Sequence, residues 1–331
     1  MTIGLGIIGA GIMGERLLRA ASEHASDVVH VSGVWDHAPA ALDRVAGAMP
    51  GVPRAASAEA VIGGADCVYV ATPPGTHLGY ARAALAAGRA LFLEKPLAVD
   101  LADARAFVAE AGAASAAVNF PFASSPAVER LQAWLRDNVA GAPRGFTIDV
   151  GFAAWPRPWQ QGAAGWLDGP AEGGFTREVV SHFLFLSRRL LGPLYLKSSE
   201  VEWAAAQGGT ERRIAARLDA GGLPGRLSGS VGGTEKDEYN AWTIQGVANF
   251  RLRDWSVAER QRPDNTWAPD PDALPNERAR PLALRRQLEQ VARMARGEPH
   301  HLATLVEAFD VQQVVEAILS GRPMTGVAEG G

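Results

Sequence analysis

The chain has 331 residues and a net charge of −4, from 32 Lys and Arg against 36 Asp and Glu. It is long enough for two domains with full cores, and it lacks the basic excess that follows a phosphate backbone, so a small molecule is expected as partner and nucleic acid is not. Its single cysteine, Cys67, excludes an internal disulfide framework and a cysteine zinc site. No apolar stretch approaches the roughly 20 residues of a membrane span and no charged leader precedes the first strand pattern, so a soluble, cytoplasmic protein without a metal or membrane partner is expected.

An apolar strand pattern at residues 3–8 runs straight into Gly9-Ala10-Gly11-Ile12-Met13-Gly14, a G-x-G-x-x-G followed by a helical pattern with Leu17, Leu18 and Ala21. In this context Gly9 permits the tight turn, Gly11 leaves room for a pyrophosphate, and Gly14 lets the helix lie close on the strand. The first helical N–H groups, around Ile12 and Met13, would meet the phosphates at the positive end of the helix dipole. A second strand pattern at 28–35 ends in Asp36, where a carboxylate would accept the ribose hydroxyls and repel a 2′-phosphate. NAD is therefore favoured over NADP, although Arg44 could pair with such a phosphate.

Strand patterns at 68–71, 90–93 and 116–120 then alternate with alanine-rich helical stretches at 77–87 and 101–111. Cys67 falls in the apolar run Cys67-Val68-Tyr69-Val70 and reads as a small core hydrophobe. Asp100 suits the N-cap of the 101–111 helix, and Pro39 the first turn of an earlier one. The alternation predicts an α/β domain over 1–120, a doubly wound parallel sheet with helices on both faces.

Past Phe120 the rhythm changes. A helix at 126–138 leads through Gly141-Ala142-Pro143 into alternating runs at 146–152, 200–205, 213–218 and 226–231. These predict a second, α+β domain over 121–331 with a large, mostly antiparallel open sheet. Trp155-Pro156-Arg157-Pro158-Trp159, continuing to Trp166, reads as an irregular aromatic loop, either a binding surface or loop packing. Residues 261–278 read as a polar loop, and helical patterns follow at 281–296 and 302–319. Leu302, Leu305, Val306, Phe309 and Val314 of the last are expected in the core, and the helix over 302–320 could return toward the first domain.

Three further segments carry candidate chemistry. Ala71-Thr72-Pro73-Pro74-Gly75-Thr76-His77 follows a strand and should border the cofactor, with an X-Pro bond there open to the cis form; His77 either caps the next helix or joins the cofactor site. Glu94-Lys95-Pro96 follows another apolar strand, where the Lys95 ammonium is either solvated or placed to hold a substrate hydroxyl. Glu172-Gly173-Gly174 leads into a helix on which Glu178 and His182 stand four apart and share a face, either as a surface pair or as a carboxylate orienting an imidazole.

Together, GAGIMG, ATPPGTH, EKP, the Gly141-Ala142-Pro143 turn, the glycine turn with its histidine helix and the final amphipathic helix resemble the Gfo/Idh/MocA family, the glucose–fructose oxidoreductase and inositol dehydrogenase group. The resemblance implies a Rossmann domain binding NAD or NADP, with Thr72, Pro73, Pro74, His77, Glu94 and Lys95 at the cofactor. It also implies Lys95, His182 and Glu178 as catalytic residues, and a homodimer or homotetramer formed through the C-terminal sheet. The implied reaction is hydride transfer with a secondary carbinol or ketone of a sugar, polyol or related compound; Arg157, Trp159 and Trp166 are candidate substrate contacts. Imine or enamine reduction and a non-catalytic dinucleotide sensor are the alternatives. This chain departs from the family pattern at Glu172 (for glycine), Glu178 (for aspartate) and Val180 (for glycine), the last of which would narrow the pocket. Asn119-Phe120-Pro121-Phe122 also lacks the arginine often present in sugar-using relatives.

Overall fold

The computed structural model describes residues 1–205 and 208–324, so 325–331 of the expected second domain lie outside the described residues. The chain divides into two compact units: Met1–Ser124 with Pro281–Phe309, and Ser125–Arg280 with the chain from Asp310 onward. Where the sequence suggests one cut after residue 120, the structure closes the first unit with a second, later segment.

The first unit is built from β1 (Ile3–Ile8), α1 (Ile12–His24), β2 (Val29–Trp35), α2 (Pro39–Ala48), α3 (Ala58–Gly64), β3 (Cys67–Val70), α4 (His77–Ala86), β4 (Ala90–Leu93), α5 (Leu101–Ala111) and β5 (Ala116–Val118). The five strands lie in the order β2-β1-β3-β4-β5, all parallel. Parallel strands are covered on both faces and so read as continuous apolar runs; every residue of β1, β3 and β4 is buried. The helices begin where the side chains allow: Asp100 accepts the Asp103 N–H at 2.9 Å, Ser57 accepts that of Ala60 at 3.2 Å, and Pro39 opens α2. The order reverses between β1 and β3, the switch point at which doubly wound sheets bind ligands beyond their strand ends.

The second unit holds α6 (Pro126–Arg136), β6 (Gly145–Phe152), α7 (Ala164–Leu167), α8 (Ser181–Leu191), β7 (Leu194–Trp203), β8 (Glu211–Ala220), β9 (Leu223–Val231), β10 (Glu238–Gln245), β11 (Phe250–Arg253), β12 (Val257–Gln261) and β13 (Trp267–Pro269). Its eight strands run β13-β12-β11-β10-β6-β9-β8-β7, antiparallel except for β6 beside β9. Ile214, Leu218 and Ala220 of β8 are buried while Arg213, Ala215 and Arg217 are exposed, the period of two that a sheet covered on one face demands. The covering helix α8 buries Phe183, Leu184, Phe185 and Leu186, and Ser187 Oγ accepts the Trp242 indole N–H at 2.8 Å. Trp242 is fully buried, so its truncation to Ala would cost about 3–5 kcal/mol.

The later part of α9 (Asn276–Ala295) belongs to the first unit, where Leu288, Val291, Ala292 and Met294 enter the core formed by Leu5, Ile7, Leu17 and Leu18. α10 (Leu305–Ser320) is the last helix among the described residues. Three expectations are corrected. Residues 261–278 are not one loop: Arg262 N–H reaches Thr266 O at 2.8 Å, which closes a hairpin from β12 into β13, and α9 begins at Asn276. Val306 is exposed, unlike Leu302, Leu305, Phe309 and Val314, because it follows Leu305 by one residue and so points about 100° away around the helix. The cis X-Pro bonds among the described residues are Lys95–Pro96 and Trp155–Pro156, not within Thr72-Pro73-Pro74.

Candidate active site

In the first unit the glycine turn leaves β1 at the switch point. Gly9 has φ +100°, and a Cβ on Gly14 would stand 1.8 Å from Gly9 O, so neither position admits a side chain without moving the turn. A Cβ on Gly11 would meet nothing within 4 Å. That open space faces the start of α1, which has no side-chain cap and whose first intrahelical bond runs from Glu15 N–H to Gly11 O at 2.9 Å. The N–H groups ahead of Glu15 therefore remain for an anion, and the cradle fits a pyrophosphate.

Asp36, just past β2, folds back on this turn. Its Oδ2 accepts the Ala10 N–H at 2.7 Å and its Oδ1 the Ala38 N–H at 2.8 Å. His37 Nδ1 lies 3.3 Å from Oδ1 as well, so Oδ2 is the oxygen that keeps a lone pair for a further donor. Arg44 donates to Ala10 O at 2.7 Å and to Glu15 Oε2 at 3.3 Å, so a guanidinium borders the same turn.

The turns after β3 and β4 are tied together by His77. Its Nδ1 lies 2.8 Å from Pro96 O and its Nε2 2.7 Å from Thr72 O, and the ring is buried. Thr72 is half-buried, Pro73 exposed and Pro74 buried. His77 thus begins α4 and also braces the segment carrying Lys95. Glu94 is buried; Tyr69 donates its hydroxyl to Oε1, and Asn119 Nδ2 donates to the same oxygen at 2.6 Å. Gln287 of α9 in turn donates to Asn119 Oδ1 at 2.7 Å. Burial, then the Glu94 charge, holds the Tyr69 hydroxyl well above its ordinary range. Lys95 is half-buried beside this network. Burial pushes the Cys67 thiol up to about 12, which leaves no thiolate for chemistry.

Glu178 and His182 belong to the second unit. Residues 176–180 wind as one π-helical turn before α8 begins at Ser181, so the two do not stand on the single α-helix the sequence suggests. The glycine turn ahead of them is sterically obligatory. Gly174 has φ +102°, and a Cβ there would lie 2.4 Å from Glu211 Oε2. Glu211, fully buried at the start of β8, accepts the Thr176 N–H at 2.6 Å, and burial raises its carboxyl above the usual value of 4.5. Val180, like Val179, is buried.

The aromatic segment is structured: a 3₁₀ stretch over Pro158–Ala163 runs into α7. Trp155 is core, donating to Leu167 O at 3.2 Å, whereas Trp159 is half-exposed and Trp166 intermediate. Arg157 is buried, with Nη1 on Glu238 and Nε on Gln160 Oε1 at 2.8 Å, and its guanidinium lies 4.6 Å from the Trp159 ring centroid. The sequence does not single out Trp255, whose ring centroid is 5.4 Å from that of His182 at 76°. Only its place after Asp254 in a polar tip between apolar strands hinted at a turn. Among the described residues, no group of three or more His, Cys, Asp or Glu could hold a metal ion, and no helix is long and apolar enough to cross a membrane.

A glycine turn at the switch point of a parallel sheet forms a cradle of the dinucleotide-binding kind, in a chain that also holds a unit built on a large antiparallel sheet. Residues 3–120 match the Gfo/Idh/MocA family model described as "Oxidoreductase family, NAD-binding Rossmann fold". It is similar to an inositol 2-dehydrogenase of Cereibacter sphaeroides, with 40% identity over 118 residues that cover 34% of each protein. The match thus spans about a third of that relative's length. The whole fold is shared with an oxidoreductase of Thermotoga maritima, at TM-score 0.82 and 19% identity over 98% of both chains. It is also shared with an Agrobacterium radiobacter oxidoreductase solved with NAD+, L-tartaric acid and magnesium, at TM-score 0.80 and 18% identity over 97% of this chain and 96% of that one.

Proposed function

We propose that the chain is a dehydrogenase or reductase that moves hydride between nicotinamide C4 and a secondary carbinol or ketone of a sugar, polyol or related small molecule, with NAD preferred. The carrying observation is that three turns, after β1, β3 and β4, meet at the carboxyl edge of one parallel sheet and bring the Gly9–Gly14 cradle, Thr72 and Lys95 to the same edge. When bound, the dinucleotide supplies the hydride acceptor or donor.

The chain's own residues do the rest. N–H groups at the start of α1 hold the pyrophosphate, and the Asp36 carboxylate accepts ribose hydroxyls, a charge that disfavours a 2′-phosphate. Lys95 donates to the substrate oxygen and polarises it. His182 takes the carbinol proton as the C–H bond gives up hydride, and returns it in the reverse direction. Glu178 orients the imidazole or a substrate hydroxyl. The polyol reading is supported by the name of the inositol 2-dehydrogenase relative, over the third of its length that matches. Association as a homodimer or homotetramer is supported by the outward face of the second sheet, where Thr147, Asp149, Arg226 and Ser228 are half-buried or exposed.

The test is a panel of cyclitols, sugars and other secondary alcohols with NAD+ and NADP+, and the matching ketones and cyclic imines with NADH and NADPH, read by nicotinamide absorbance. Turnover of a secondary carbinol or ketone with NAD(H) supports the proposal. Turnover of imines alone, or none of any compound, overturns it.

A further inference from the structure

The tip between β11 and β12 is the most strained backbone near the candidate acid–base residue. Asp254 and Trp255 have φ +47° and +68°, two consecutive left-handed residues of the kind a tight hairpin normally fills with Asn-Gly or Asp-Gly. A large side chain in that conformation is uncommon, and such outliers persist only where the surroundings over-determine them. Here the ties are explicit. Asp254 N–H reaches Asn240 O at 3.1 Å, Trp255 N–H reaches Asn240 Oδ1 at 3.1 Å, and the indole Nε1–H reaches Glu238 Oε1 at 2.9 Å. The other oxygen of Glu238 is held by the buried Arg157. The pinned indole then packs edge-to-face with His182, and its centroid lies 5.3 Å from that of Phe183, the next residue on α8.

We infer that Trp255 is the positioning residue for His182: the strained tip exists to hold the indole against the imidazole and so restrict its ring to the orientation proton exchange needs. Arg157 and Glu238 form the far end of the same support, an anchor for the indole and not a substrate contact. This rests on the assignment of His182 as proton exchanger. It also explains why a tryptophan occupies a site where glycine would relieve the backbone, since glycine would leave the imidazole without its neighbour.

The test uses the full chain and three variants, Trp255→Ala, Trp255→Phe and Glu238→Ala, with the panel compound the wild type turns over fastest. Trp255→Ala should lower kcat by about tenfold or more, since displacing a reacting group by about 1 Å costs up to about a hundredfold. NADH affinity should stay within about twofold, and Trp255→Phe, which keeps a ring against His182, should recover most of the loss. Independently of substrate, NMR of isotope-labelled histidine should give one narrow set of imidazole signals for His182 in the wild type and shifted, exchange-broadened signals in Trp255→Ala. Should Trp255→Ala fail to fold, Glu238→Ala frees the indole without removing it and should broaden the same signals. Unchanged signals, or unchanged kcat, in a folded variant that loses the indole or its anchor overturn the inference. If His182→Ala remains fully active, the proposed function is what fails; if it is dead while Trp255→Ala is unaffected, only the role of Trp255 falls.

Discussion

Asp36 and Arg44 clasp the same residue of the glycine turn: Asp36 Oδ2 accepts the Ala10 N–H at 2.7 Å and Arg44 Nη2 donates to Ala10 O at 2.7 Å. One carboxylate and one guanidinium therefore border the turn to which the proposed function assigns the adenosine end of the dinucleotide. Removing Asp36 takes away charged acceptors worth about 1.5–3 kcal/mol, so Asp36→Ala should weaken NADH by roughly tenfold to a hundredfold and NADPH far less. Arg44→Ala should act the other way, weakening NADPH more than NADH. Fluorescence titrations of both variants with both nucleotides check this; equal losses for the two nucleotides would refute the assignment.

Glu94 is expected to hold the edge beneath Lys95 together. Glu94→Ala would strand the Tyr69 hydroxyl and one Asn119 amide donor in a buried setting, each at about 1–3 kcal/mol. A loss of about 3 kcal/mol in urea unfolding is expected, with Glu94→Gln milder because it keeps an acceptor. A Glu94→Ala protein as stable as wild type would show the network to be incidental.

Glu211 gives a pH signature. Burial raises its native carboxyl above 4.5, so the native state binds this proton more tightly than the unfolded chain. Its contribution to stability is then fully present below the ordinary value and is lost as pH rises through the native one. The difference in unfolding free energy between wild type and Glu211→Gln should therefore fall from about pH 4.5 upward and level off above the native value. Parallel pH curves for the two proteins would mean that Glu211 is not proton-linked.

What was legible in the sequence was local. Residues 3–36 form one contiguous βαβ unit, so strand, glycine turn, helix and Asp36 announce themselves in order, and the part of α9 from residue 281 onward reads as a helix. That α9 enters the first core through Leu288 and Val291 was not, because the partner face lies among Leu5, Leu17 and Leu18, far away in sequence. The same holds for Arg157, offered as a substrate contact because arginine beside tryptophans looks like a binding surface; its partner Glu238 is 81 residues on. Trp255 is not legible in the sequence because neither a left-handed φ nor a ring against His182 leaves a trace in residue spacing. His77 was readable as the start of α4, but its bonds to Thr72 O and Pro96 O join two turns that only the parallel sheet makes neighbours.

Hydride transfer that depends on Lys95 and His182 is tested by turnover of the best panel compound by wild type, Lys95→Ala and His182→Ala, with NADH binding measured on each. Both variants are expected to bind NADH near the wild-type affinity and to lose about a hundredfold or more in kcat. Full turnover in either variant would remove that residue from the mechanism, and tight NADH binding by a wild type that transfers hydride to no compound would contradict the enzyme assignment itself.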